Sequence, residues 1–158
     1  MTGTVIAGVV TLAIVARVVT LVDDWGRDWT NNHAKWDDSA TDPGKRPLRL
    51  PKPIAEVRRD LETWVESEPI WQVESIADDS VDAPVAGQTQ VIHLTRRTKW
   101  LRFVDDVHVQ LTEEVSPTGE VVTRVDAESQ SRVGKGDLGQ NPRNLQHLRE
   151  AFSAEEGI

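Results

Sequence analysis

The apolar pattern predicts an α+β domain built as a helix, a four-stranded antiparallel sheet and a closing helix. Both helices lie on one sheet face, and one N-terminal transmembrane helix precedes them. Three observations carry this. Residues 54–65 and 145–152 repeat apolar side chains at helical spacing, residues 103–111 and 121–133 alternate, and Thr4 to Val22 is apolar apart from Arg17 and three threonines. Residues 1–22 are then an anchor, 23–52 a polar, Pro-rich linker or arm, and 53–154 the folded domain.

As a helix rising about 1.5 Å per residue, residues 4–22 would reach roughly 28 Å, close to the hydrocarbon thickness of a bilayer. A cleaved signal and a buried core helix are the competing readings. Against the signal, Met1-Thr2-Gly3-Thr4 lacks Lys and Arg, and Ala13-Ile14-Val15-Ala16 does not fit Ala-x-Ala. Arg17 would cost roughly 2.5–3.5 kcal/mol at mid-bilayer, but near the segment's end it can snorkel to the headgroups. Trp25 and Trp29 fall where an interfacial aromatic belt sits. The expectation is a single-pass membrane protein whose partner through residues 4–22 is the lipid bilayer. Arg17, Arg27 and Lys35 only weakly favour a cytoplasmic domain, so the side stays open.

In the folded part, Pro53 suits a first helical turn, and Ile54, Val57, Leu61, Trp64 and Val65 form the stripe that follows. Pro69 ends that helix. Ile70–Ile76 and Thr89–Arg97 read as strands around a polar loop at 77–87. Next comes a hairpin closed by Ser116-Pro117-Thr118-Gly119. Matching its apolar faces pairs Leu111 with Val125, Val107 with Ser129 and Asp105 with Ser131, since a one-residue slip would invert every side chain. The outer face then sets His108 opposite Glu128 and Thr112 opposite Arg124. The closing helix is expected to be capped by Asn141, with Pro142 first and Leu145, Leu148 and Phe152 as its stripe.

The net charge of −8, from 26 acids against 18 Lys and Arg, argues against a nucleic-acid partner. The absence of cysteine removes disulfides and thiolate chemistry. The four histidines are expected not to cluster, and the chain has neither a His-Glu zinc motif nor an EF-hand, so no metal and no cofactor are expected.

The one concentrated constellation is Asp105 and Asp106 on the first hairpin strand, answered by Ser131, Arg132, Gly134, Asp137, Gly139 and Asn141. Residues 134–139 spell Gly-x-Gly-x-x-Gly, but a dinucleotide fingerprint needs a following parallel strand that ends in an acid about 20 residues on, and no such strand follows in the sequence. Asp137 would also oppose a pyrophosphate. Asp105 shares its face with Phe103, Val107 and Val109, so it must be partly buried and partnered. Ser131, the loop amides and an arginine are its candidate partners. It is either a polar lock fastening the loop to the sheet or a functional acid with Asp106, Arg132 and Asp137 nearby.

Arg102-Phe103-Val104-Asp105-Asp106-Val107, followed by Ser131-Arg132-Val133-Gly134, Asp137-Leu138-Gly139 and Asn141, resembles the domain of unknown function 1499 family. The likeness covers roughly residues 40–153 in layout and 96–149 closely. In that family an Asn-Cys-Val-Ser-Ser-like segment commonly precedes the first helix, and Asp42 to Pro53 has none. The resemblance implies the fold and the place of the site but no reaction. The functional expectation is a membrane-anchored, non-catalytic binding or accessory module with an unknown protein or small-molecule partner. One alternative is an enzyme using Asp105, Asp106, Arg132 and Asp137. The other is a membrane-proximal assembly subunit, which exposed Trp36 and Trp100 would favour.

Overall fold

The computed structural model describes residues 6, 9–13, 16, 26, 30–78, 87–98 and 102–155. Its elements are β1 (His33–Lys35), a 3₁₀ turn (Pro43–Lys45), β2 (Leu48–Leu50), α1 (Ile54–Ser67), β3 (Trp71–Asp78), β4 (Thr89–Arg97), β5 (Val104–Val115), β6 (Val121–Ser131) and α2 (Gln140–Glu155). All pairings are antiparallel. The sheet runs β1-β6-β5-β4-β3, and β2 also pairs with β6.

Six strands among the described residues replace the four expected. The two additions, residues 33–35 and 48–50, come from the stretch read as a linker or arm. Strands of three residues are too short to show alternation. They pair here because the outer edge of β6 offers a row of unsatisfied backbone groups. The expected transmembrane helix is not found either. Among the described residues no helix is long and apolar enough to cross a membrane. Much of segment 4–22, together with Trp25 and Trp29, lies outside the described residues.

The β5–β6 hairpin has the register that its alternation dictates, with Leu111 opposite Val125 and Asp105 opposite Ser131. Its inner face is dry: Val107, Val109, Leu111 and Val125 have no exposed surface. Ile92 and Leu94 of β4 extend that face. Against it pack Ile54, Val57, Leu61 and Val65 of α1 and Leu145, Leu148 and Phe152 of α2. Trp64, Trp71 and His147 close one side, with Trp64 at 5.1 Å from Trp71 and 5.3 Å from His147 between ring centres.

Polar groups fix how the helices enter. Pro53 has no side chain to cap α1, and the Ile54 amide instead donates to Glu113 of β5 at 3.4 Å. Thr123 donates to the Lys52 carbonyl at 2.6 Å, which holds the approach to that helix. The arm is fastened by Trp36, whose amide donates to the Ala127 carbonyl and whose ring lies under the Arg149 guanidinium at 4.9 Å. Trp36 is therefore buried, not an exposed assembly contact, and Trp100 lies outside the described residues.

Because Trp36 both fills core volume and tethers the arm, Trp36→Ala is expected to lower unfolding free energy by roughly 3–5 kcal/mol. Urea denaturation checks this. A loss within experimental scatter would mean that the arm does not stabilise the fold.

Candidate functional site

Asp105 and Asp106 are adjacent on β5 and therefore point to opposite faces of the sheet. Asp105 is on the inner face, 2% exposed. Its Oδ1 accepts from Ser131 Oγ at 2.6 Å and its Oδ2 from Asn144 Nδ2 at 3.0 Å. Asn144 Nδ2 also reaches Ser129 Oγ at 3.0 Å, and Ser129 donates to Asn141 Oδ1 at 2.6 Å. Asn141 Nδ2 returns to Ser131 Oγ at 3.2 Å and donates to the Asn32 carbonyl at 2.7 Å. Five side chains from β5, β6 and α2 thus form a closed ring.

Both hydrogens of each asparagine amide have acceptors, all in the ring but the Asn32 carbonyl, and both serine hydroxyls donate. The charge is answered by Arg96, cross-strand on β4, whose Nη1 lies 3.9 Å from Asp105 Oδ2. Burial lowers the Arg96 guanidinium pKa below its ordinary value, and Asp105 opposes that shift.

The loop between β6 and α2 is tied in separately. Asp137 accepts from the Gly139 amide at 2.9 Å and the Asn141 amide at 2.6 Å. The cap of α2 is therefore Asp137, and the expected cap, Asn141, is inside the ring. The loop amides serve Asp137 and not Asp105. Gly134 takes a left-handed φ of 98°, and its carbonyl accepts from Asn32 Nδ2 at 2.9 Å. Gly139, at φ 76°, makes the same kind of turn into the helix.

On the outer face Asp106 is clamped by Arg132, with Nε to Oδ2 at 2.8 Å and Nη2 to Oδ1 at 2.7 Å. His93 Nε2 lies 2.7 Å from Asp106 Oδ1. The Arg132 hydrogen bonds, more than the His93 contact, hold the Asp106 carboxyl down at about 2. His93 stacks on His108, with ring centres 4.6 Å apart. Glu128 then stands between His108 Nδ1 at 3.7 Å and His33 Nε2 at 3.3 Å. Three of the four histidines share this face, contrary to the expectation that they scatter. The reason is that β1 was not foreseen, nor was the β4–β5 register that sets His93 opposite His108. No trio of His, Asp and Glu among the described residues converges tightly enough to hold a metal.

The candidate residues therefore separate into three groups. Asp105, Ser131 and Asn141 join in the inner ring. Asp106 and Arg132 pair outside, and Asp137 binds helix amides with Gly134 and Gly139 shaping its loop. The four residues of the enzyme alternative do not face a common point. Sequence reasoning passed over Asn144, Ser129, Asn32 and Arg96. Ser129 stood on the inner face by alternation, and Asn144 lies three residues after Asn141 and four before Leu148, so helical periodicity marked it.

The family model described as protein of unknown function (DUF1499) matches residues 28–152. The chain belongs to that family. The match to the DUF1499 family extends through the arm, so it includes Asn32 and Trp36 as well as the ring. No curated protein matches the chain.

Asp105→Asn places an amide donor among the donors of Ser131 and Asn144 and leaves Arg96 without its counter-charge. A loss of at least about 1–3 kcal/mol in unfolding free energy is expected, read by urea denaturation. Unchanged stability would refute the ring as a structural element.

The depressed carboxyl of Asp106 sets a pH window. Its folded value lies below the unfolded 3.8, so its stabilisation is full above about 4 and is lost as pH falls towards about 2. Melting temperature is expected to fall less between pH 4 and 2 in Asp106→Asn than in the wild type. Parallel curves for the two proteins would contradict this assignment.

Proposed function

We propose that the protein is a non-catalytic binding or accessory module working at a membrane surface. The observation that carries the first half is the closed ring around Asp105. An acid at 2% exposure, each of whose oxygens already accepts from Ser131 or Asn144, is shut off from a substrate proton. Asp106 is occupied likewise by Arg132 and His93.

A concave surface of about 490 Å³ between the arm and α2 offers a place for a partner. Ala34, Pro142 and the narrow exposed edges of Trp36 and Leu145 give it apolar walls, and three cations, Lys35, Lys45 and Arg143, outnumber the one acid, Asp42, which lies 3.9 Å from Lys45. That lining suits a ligand with an apolar body and an anionic group. Support for the membrane half is compositional: residues 4–22 are apolar but for Arg17 and threonines.

Membranes from cells producing the full chain, or a chain lacking residues 1–22, provide the test. The full chain is expected to sediment with membranes, the shortened one is not, and mass spectrometry of the purified full chain is expected to recover a bound compound unchanged. A full chain left in the supernatant overturns the membrane half. Turnover of the recovered compound by wild type, abolished in a folded Asp106→Asn, overturns the non-catalytic half.

A further inference from the structure

The ends of the strands distribute charge unevenly for a chain of net charge −8. One end of the sheet gathers the start of β3, the end of β4, the start of β5 and the end of β6, because Trp71 pairs with Arg96, Arg97 with Val104, and the Arg132 amide bonds the Val104 carbonyl. The glycine loop and the start of β1 lie at this same end, since Asn32 bonds Ser131 and Gly134. Arg97, Arg102 and Lys135 are exposed here. Of the acids near this end, Asp105, Asp106 and Asp137 are engaged in the ring, with Arg132 and with helix amides, Glu74 of β3 accepts from Thr95, and Glu68, next to Pro69, lies 3.8 Å from His147.

Apolar side chains are exposed among these cations. Phe103 is 48% exposed and Val133 64%, and Leu138 joins them. Arg102 and Leu138 hold left-handed backbone at φ 54° and 52°, a conformation that non-glycine residues keep only where the surroundings impose it. Beside Phe103 a hollow of about 400 Å³ is lined by Pro69, Ile70, Gln72, Arg97, Thr98 and Arg102. Two guanidinium groups, an amide and a hydroxyl line this opening with no carboxylate among them, a donor set that suits a phosphate-type anion.

We propose that this end docks on an anionic lipid surface, with Phe103 and Val133 entering the headgroup layer and a lipid phosphate entering the hollow of Arg97 and Arg102. The inference rests on the membrane reading above and adds an orientation and a lipid class to it. Charge complementarity names the occupant, since juxtamembrane cations are drawn to anionic headgroups. Chain continuity agrees: β1 begins at this end, and residues 23–32, a stretch reaching at most about 36 Å, separate it from the apolar segment. The turn at the other end, Ser116 to Glu120, carries one acid and no cation.

Because the chain lacks cysteine, Phe103→Cys and Thr118→Cys each give a single labelling position. Each full-length variant, carrying an environment-sensitive fluorophore, is mixed with vesicles of phosphatidylcholine alone or containing phosphatidylserine. With phosphatidylserine, emission from position 103 is expected to shift to the blue and to be quenched by a lipid-borne quencher, while position 118 stays water-like. Added salt reverses the shift. Arg97→Glu and Arg102→Glu are each expected to weaken the phosphatidylserine-dependent component roughly fivefold or more. Association with both vesicle types while position 103 stays water-like overturns the docking but leaves the membrane reading standing. Equal shifts at 103 and 118 overturn the orientation, and failure to associate with either vesicle overturns both.

Discussion

A carboxylate buried among apolar side chains is tolerated only when its charge is answered and its oxygens are hydrogen-bonded, and Asp105 imposes that condition on the whole domain. Its oxygens tie β5 to Ser131 of β6 and Asn144 of α2, and Arg96 supplies the charge from β4. Asn141 carries the same network to the arm through the Asn32 carbonyl. Three strands, a helix and the N-terminal arm are thus held in relative position around one group. Apolar packing supplies most of the driving force for collapse, whereas the ring restricts which collapsed arrangement satisfies every donor.

Strand geometry explains why a pair of neighbouring acids is not a catalytic dyad. Successive residues alternate faces, so Asp105 and Asp106 meet different surroundings and different arginines. Asp106 belongs to a solvent-bordering row of charges and imidazoles that runs across the strands. The sequence doublet is two single-acid sites, one facing each side of the sheet.

The hairpin was legible because its alternation runs far enough for apolar faces to fix the register, and Asp105 opposite Ser131 followed from that alone. The stripes of both helices were legible for the same reason. Arg96 was not, because nothing in the alternation of β4 states how it slides along β5. Asn144 is hidden from the apolar stripe of the final helix because it is polar, though its position fits the period. Pro142, which suits a first helical position, points to Asn141 as the cap. The chain instead turns through Leu138 and Gly139, so Asp137 reaches the helix amides from further back. The fold class failed at β1 and β2, where three residues are too few to display a period.

The two short arm strands also affect the order of events during synthesis. They leave the ribosome before any other element of the sheet, yet among the described residues their strand partner is β6, near the other end of the chain. The bond from Asn141 to Asn32 spans 109 residues. Closing so long a loop precedes any gain from the contact, and local pairings such as the β5–β6 hairpin form first. The arm therefore stays unpaired until the hairpin and α2 exist, and its docking over the edge of β6 is a late step that seals a nearly finished sheet.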